Sequence, residues 1–203
     1  MKSENKKNEI INVEVIFESK FLNLFKVIYK TYLGNEKYWI VASRKTIDSY
    51  KKLIFEKDNY ASDAVVIVGY DDAEDRLLLI KEFRIPINDY IISLPAGLVD
   101  AGEDIEKAAR RELFEETGLE LYDIDRERSS KRTYPSVGMS DESISMLFGR
   151  VRGVITEKNQ EESENIKPFF VTKDEAKKLL LENHNFDTKA WLVLRSFVDG
   201  NKL

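Results

Sequence analysis

Between Gly97 and Leu119 the chain reads GLVDAGEDIEKAARRELFEETGL, and this segment constrains the fold more than any other. Ile105, Ala108, Ala109 and Leu113 recur at helical spacing as one apolar stripe, and the two alanines let a helix backbone lie close to a sheet. Asp104 and Glu106 sit at the end of that helix where negative charge is favourable, and Gly118 supplies the left-handed residue that commonly ends one. The last turn holds Glu112, Glu115 and Glu116. A helix C-terminus already carries partial negative charge, so three carboxylates there repel the dipole and one another, and a cation is needed to compensate. Glu112 and Glu116 share a face, and Arg111 and Glu115 form a second pair at the same helical separation. One pair is suited to hold a metal and the other to brace it. Hard oxygen ligands favour magnesium, with manganese as a substitute, and such ions complete their shells with water and phosphate oxygens.

With 203 residues, 42% of them hydrophobic, the chain can form one sizeable core and needs no second large domain. Cysteine is absent, which excludes disulfides and thiolate metal sites. The segment MKSENKKNEI lacks the apolar centre of a secretion signal, and no apolar run approaches bilayer length. A cytoplasmic protein with no membrane partner is therefore expected. The net charge of -5 argues against nucleic acid as a partner, and any phosphate-rich small molecule must be drawn by local cations and bound metal.

Residues 10–17, 22–33 and 37–43 are rich in Val, Ile, Tyr and Phe and read as strands, with a hairpin turn at Gly34-Asn35. They predict a small antiparallel unit over residues 1–59, ahead of a larger domain over residues 60–203. After the polar stretch Lys57 to Asn59, strands AVVIVGY and RLLLIKEF flank the turn DDAED, and YIISL leads into Pro95-Ala96-Gly97. Residues 121–135 and 143–152 are expected as strands joined by a loop, with the run Asp125 to Arg132 forming a solvated hairpin. A Thr172 to Glu175 capping box opens one helix, and Asp187 or Thr188 opens another whose apolar residues include Trp191, Leu192, Leu194 and Phe197. Strands mixed with a few helices indicate an α/β layered sandwich. His184, in a polar connector, and Tyr134, at a strand end, read as ordinary structural residues.

Gly97, Glu103, Arg111, Glu112, Leu113, Glu115, Glu116, Gly118 and Leu119 fall at every position of the Nudix box: Gly, five residues, Glu, seven residues, then Arg-Glu-Leu-x-Glu-Glu-x-Gly-aliphatic. The chain thus resembles the Nudix hydrolases, and the resemblance implies an α/β/α sandwich with a mixed sheet. Lys81-Glu82-Phe83-Arg84 with Pro86 close behind, Leu94-Pro95-Ala96-Gly97, the box and a later Ser-Asp-Glu loop resemble the ADP-ribose pyrophosphatase branch, over residues from about 20 to 150. In that branch the carbonyl at the position of Ala96 and the glutamates matching Glu112 and Glu116 ligate magnesium. A glutamate on the loop after the box, matched by Glu142, is the base or a further ligand. The resemblance also gives Glu103 and Glu115 supporting roles, has Arg111 fix the carboxylates, and has Arg84 contact phosphate.

For the base, the branch uses an aromatic sandwich and a nearby arginine, which Phe21, Trp39 and Arg44 match, with Pro135 as the proline of the substrate loop. Two positions depart from the pattern. Ile40 follows Trp39 where an acid is common, and the loop has Val137-Gly138 where a proline directly precedes the glycine. The implied reaction is hydrolysis of the diphosphate linkage of a nucleoside diphosphate sugar, with ADP-ribose giving AMP and ribose 5-phosphate. The alternatives are another nucleotide sugar, such as a UDP- or GDP-hexose, or a non-catalytic nucleotide-binding regulator, against which the intact carboxylates argue. Three N-terminal strands are too few to enclose a core, and the resemblance implies that they pack in a homodimer.

Overall fold

Alternating apolar residues shape the first three strands, Glu9–Phe17 (β1), Asn23–Lys30 (β2) and Glu36–Ser43 (β3), which form an antiparallel sheet in the order β1-β2-β3. The computed structural model describes residues 7–57, 61–71, 75–162 and 164–200. Val13 of β1 and Phe25 and Val27 of β2 are buried together with Tyr50, which lies on a short helix, Ile47–Lys51 (α1). Thr46 caps that helix by accepting from the Ser49 N–H, and a π-helical turn carries it on through Glu56. Sequence periodicity does not reveal α1, because a five-residue helix that buries one side chain has no stripe to detect. These elements belong to a compact unit made of Met1–Asp63 and Tyr134–Ser143. The expected boundary at residues 59 and 60 lies outside the described residues, as do residues 72–74 of the expected DDAED turn.

The second unit, Ala64–Thr133 with Ile144–Leu203, holds a seven-stranded sheet. Its strands are Ala64–Tyr70 (β4), Arg76–Arg84 (β5), Asp89–Ser93 (β6), Ala96–Leu98 (β7), Glu120–Thr133 (β8), Ile144–Arg152 (β9) and Ile166–Thr172 (β10). The main path runs β10-β5-β4-β9-β8, with β6 paired to β5 and β7 to β4. β4 and β9 are parallel and the remaining pairs antiparallel, so the sheet is mixed. β4 meets β5 in register at Tyr70 and Leu77, and its first half pairs instead with β7, which sets Ala96 opposite Val66 and Gly97 opposite Val65.

Both faces of this sheet are covered, and the strand sequences show it by being apolar at nearly every position. Val65, Ile67 and Leu78 are buried on one face with Ala108, Ala109 and Leu113 of the helix Ile105–Thr117 (α2). Val66, Val68, Leu77 and Leu79 are buried on the other, with Ala176 of Lys173–Leu181 (α3) and with Ala190, Val193, Leu194 and Phe197 of Thr188–Asp199 (α4). Each buried leucine or valine contributes roughly 1.5–3 kcal/mol, so these contacts outweigh any single surface interaction in fixing the layers. The result is the expected α/β/α sandwich, preceded in the chain by the small antiparallel sheet.

One expectation is corrected. The run Asp125 to Arg132 is no hairpin but the middle of β8, which continues without reversal to Thr133. Register shifts between Asp125 and Ser130 absorb a local turn in which the Asp125 carboxylate accepts from the N–H groups of Glu127 and Arg128. β10 was not anticipated. Its Pro168 lies on an edge strand, where the missing N–H costs no ladder bond. On α4, Leu194 and Phe197 are buried with Ala190 and Val193, while Trp191 and Leu192 are 43% and 53% exposed. The capping box is present as read, with Thr172 and Glu175 bonding each other's backbone N–H groups. Among the described residues no helix is long and apolar enough to cross a membrane.

Candidate active site

Helix α2 begins at Asp104, whose carboxylate accepts from the N–H groups of Glu106 and Lys107, and ends at Gly118 with φ 75°. A side chain at Gly118 would be strained by that dihedral and would also meet Thr156, 2.3 Å from its Cγ2. Neutral donors satisfy the exposed carbonyls of the last turn: the Thr156 N–H reaches Thr117, Gln160 Nε2 reaches Glu116, and Asn159 Nδ2 reaches Phe114. No basic residue occupies that last turn. The carbonyls at the negative end of the helix are therefore satisfied by neutral hydrogen-bond donors rather than by a cation.

Glu116 is the most buried of these acids at 4% exposure, and its Oε2 accepts from the Ala96 N–H at 3.1 Å. Burial pushes its carboxyl well above the ordinary glutamate value; the Ala96 N–H opposes that rise, while the charges of Glu82, Glu112 and Glu164 add to it. Burial also raises Glu112, against the pull of Arg111. The Glu112 carboxylate lies directly against Gly97, where a Cβ would come within 2.0 Å of its Cδ. Gly97 is thus required by close approach.

Arg111 stands at the centre of the remaining acids. Its Nε and Nη2 donate to the two carboxylate oxygens of Glu103 at 3.1 and 2.8 Å, its Nη1 donates to Glu112 at 2.7 Å and Glu115 at 3.1 Å, and Nη2 also reaches the Leu98 carbonyl. The Arg111 hydrogen bond holds Glu103 below the usual carboxylate range, and hydrogen bonding to Glu103 is the main reason the guanidinium is raised above its own. Three carboxylates, those of Glu103, Glu112 and Glu115, thus share one guanidinium, and Glu116 lies apart from it beside Glu112.

The donor set fits a divalent cation. Glu112 and Glu116 offer hard oxygens from one helix face, and the buried member is surrounded by further acids. Among the described residues the side chains do not form a closed cage of three acids or histidines, because Glu112 turns to Arg111 and Glu116 to the Ala96 N–H. Ala96, expected to offer its carbonyl, shows its N–H bonded to Glu116, which sets its peptide beside the pair. Arg84 rests on Glu82 at 3.1 Å, and Glu82 is 7% exposed with its carboxyl raised by burial. Sequence reading singled out neither Glu82 nor Glu164. An acid inside an otherwise apolar strand was the available signal for Glu82; Glu164, in a polar connector, offered none.

The other expected residues lie in the first unit. Trp39 is on β3 and Phe21 in the bend just ahead of β2; at 53% and 68% exposure neither is a core residue of that unit. Trp39 Nε1 donates to the Gly138 carbonyl at 3.1 Å, the Ala42 N–H to the Met139 carbonyl at 2.9 Å, and Arg44 Nε to Glu142 Oε1 at 2.6 Å. Lys45 Nζ lies 2.6 Å from Asp63 and 3.1 Å from Asp141. Burial alone would lower this lysine, yet the hydrogen bond to Asp63 and the charges of Asp141 and Asp63 prevail and raise it. Tyr50 is pushed up to about 12 by burial and by the charge of Asp141. Tyr134, Pro135 and Val137 are exposed on the same loop. His184 pairs with Glu182 at 2.8 Å, a local contact consistent with an ordinary role.

A helix–sheet–helix sandwich in which the helix on one face ends in clustered glutamates, one of them packed against Gly97 of a short strand, is the fold and site that define the class of protein. The family model of the NUDIX domain matches residues 61–192, and the chain belongs to that family. It is 40% identical over 114 residues to an ADP-ribose pyrophosphatase of Saccharomyces cerevisiae, covering 54% of this chain but 45% of that protein, so this chain spans less than half of that relative. Against an ADP-ribose pyrophosphatase of Bacillus subtilis the identity is 30% over 158 residues, with 73% of this chain and 83% of the relative covered. A solved structure described as an ADP compounds hydrolase shares the fold, with a TM-score of 0.69, 23% identity, and coverage of 96% of this chain and 95% of that one.

The contact between Gly97 and Glu112 yields a direct test. Gly97→Ala must swing the Glu112 carboxylate away from β7, so the variant is expected to keep its helical and strand content while showing a smaller rise in Tm than the wild type when a divalent metal salt is added. Equal metal-dependent shifts in Tm for the two proteins would show that Glu112 is not a ligand.

Proposed function

We propose that this chain is a magnesium-dependent hydrolase of the diphosphate linkage in nucleoside diphosphate sugars, with ADP-ribose cleaved to AMP and ribose 5-phosphate. The observation that carries the reading is the cluster of acids around buried Glu116 at the end of α2. Relatives named ADP-ribose pyrophosphatase support the choice of substrate. The cytoplasmic location expected from the sequence is retained.

A diphosphate resists water because its own oxygens repel the attacking lone pair. Magnesium, when bound, neutralises those oxygens and lowers the pKa of water. Glu112, Glu116 and the Ala96 carbonyl would hold it, Arg111 fixes the Glu112 carboxylate by a charge-assisted hydrogen bond, and Glu103 and Glu115 hold Arg111 in turn. Arg84 turns from Glu82 to a substrate phosphate. Glu142 takes the proton of the attacking water. Phe21 and Trp39 stack on the base, Arg44 approaches the ligand, and Pro135 lines the loop beside it. One observation favours a second reading, another nucleotide sugar such as a UDP- or GDP-hexose: Ile40 presents no acceptor to the amino group of adenine.

The N-terminal sheet leaves Ile16, Phe17, Leu33 and Tyr38 exposed at 51%, 56%, 71% and 61%, an apolar surface that a second copy of the chain would cover. Light scattering at micromolar concentration is expected to give the mass of a homodimer, and a monomer mass would remove this assignment.

Glu116→Gln is expected to preserve the fold and abolish nearly all turnover of ADP-ribose at saturating magnesium; activity near the wild-type level would place the chemistry elsewhere. Trp39→Ala is expected to weaken binding of a base-containing substrate by about 1–3 kcal/mol, the range for base–aromatic stacking, with a smaller effect on a substrate lacking the base. Equal losses for both substrates would return Trp39 to a purely structural role.

A further inference from the structure

Glu142 lies between two residues that are both tied to one ammonium group. Ahead of it, Asp141 Oδ2 is 3.1 Å from Lys45 Nζ. Behind it, the N–H and Oγ of Ser143 donate to Asp63 Oδ2 at 2.8 and 2.9 Å, while Asp63 Oδ1 is 2.6 Å from the same Lys45 Nζ. The three charged side chains are only 10–14% exposed, so these contacts are little screened by water. Lys45 itself directly follows Arg44, whose Nε is 2.6 Å from the Glu142 carboxylate. Backbone and side chain of Glu142 are therefore both referred to the same short stretch at the end of β3.

We propose that Lys45 is a positioning residue for Glu142: through Asp141 on one side and Asp63–Ser143 on the other, its ammonium sets the backbone from which the proton-accepting carboxylate projects. The proposal rests on the reading of Glu142 as the base. Lys45 touches neither substrate nor metal in this role and acts through the loop alone. Neutral bonds also reach this stretch, from the Glu142 N–H to Ser140 Oγ at 2.9 Å and from the Asp63 N–H to the Ser143 carbonyl at 2.9 Å, while the bonds from Trp39 to Gly138 and from Ala42 to Met139 lie three or more residues before Glu142; Lys45 adds the charged contact that spans both neighbours. The carboxylates of Asp63 and Asp141 both face the Lys45 ammonium, so its loss leaves two nearby, largely buried acids without the charge they share and loosens both sides of Glu142.

The test is a double-mutant cycle between Lys45 and Glu142, read as steady-state hydrolysis of ADP-ribose with magnesium chloride. Lys45→Met is expected to lower kcat by about 10- to 100-fold, as a small misplacement of a catalytic group does, with KM changed by less than about threefold. In a Glu142→Gln background the same change is expected to lower kcat by less than about twofold, since no base remains to be misplaced. Lys45→Arg, which keeps the charge, should restore part of the loss. Should Lys45→Met fail to fold, Asp141→Asn in the same two backgrounds carries the test, with a smaller loss of kcat that again disappears beside Glu142→Gln. An equal fold-loss in both backgrounds, or a loss in KM alone, would overturn the positioning role. Full turnover by Glu142→Gln alone would remove Glu142 as the base and the positioning role with it. A wild-type protein that cleaves no nucleoside diphosphate sugar would instead remove the reading on which both rest.

Discussion

The balance of charge at the end of α2 governs the larger unit. Three glutamates occupy the last turn of a helix whose carbonyls are satisfied by neutral amides, and the one guanidinium within reach, Arg111, is shared among Glu103, Glu112 and Glu115. Glu116 is left buried with acidic neighbours and a single backbone N–H at its Oε2. An ionised carboxylate is costly to bury without a partner, and burial with acidic neighbours accordingly pushes Glu116 well above the ordinary glutamate value. Arg111 keeps the cluster from flying apart, and its five fixed donors do what a lysine could not.

The rest of the sandwich brings that helix end to the right place. β4 is apolar on both faces because α2 covers one and α3 with α4 cover the other, and this two-sided burial makes the central strands rigid. β7 then lies against the first half of β4, which fixes Ala96 and Gly97 in a strand rather than a loop. From that strand the Ala96 N–H reaches Glu116, and the bare Gly97 admits the carboxylate of Glu112. Small residues at Ala108 and Ala109 allow the helix itself to approach the sheet.

Within the first unit a different principle operates. The segment Tyr134–Ser143 follows β8 in the chain but is bonded to β3 and the residues just after it, by Trp39, Ala42, Arg44 and Lys45. Residues that the sequence suggested for base recognition are thereby attached to the loop that carries Glu142.

The sequence by itself determined the glutamate-bearing helix, its stop at Gly118, the capping box at Thr172, the first nine strands save the short β7, and the family, because each depends on local spacing, capping or period. The continuity of β8 through Asp125–Arg132 was hidden, since a polar edge strand with a bulge carries the same residues as a solvated turn. β10 was missed because Pro168 counts against a strand until its edge position is known. The partners of the site were decided only by tertiary structure. Nothing local joins Lys45 to Asp63 and Asp141, Glu82 to the field of Glu116, or Gly97 to Glu112, because these pairs are 15 or more residues apart and meet only once strands have found their register. Local propensity sets the elements; burial of charge in a shared low-dielectric setting sets which of their side chains must answer one another.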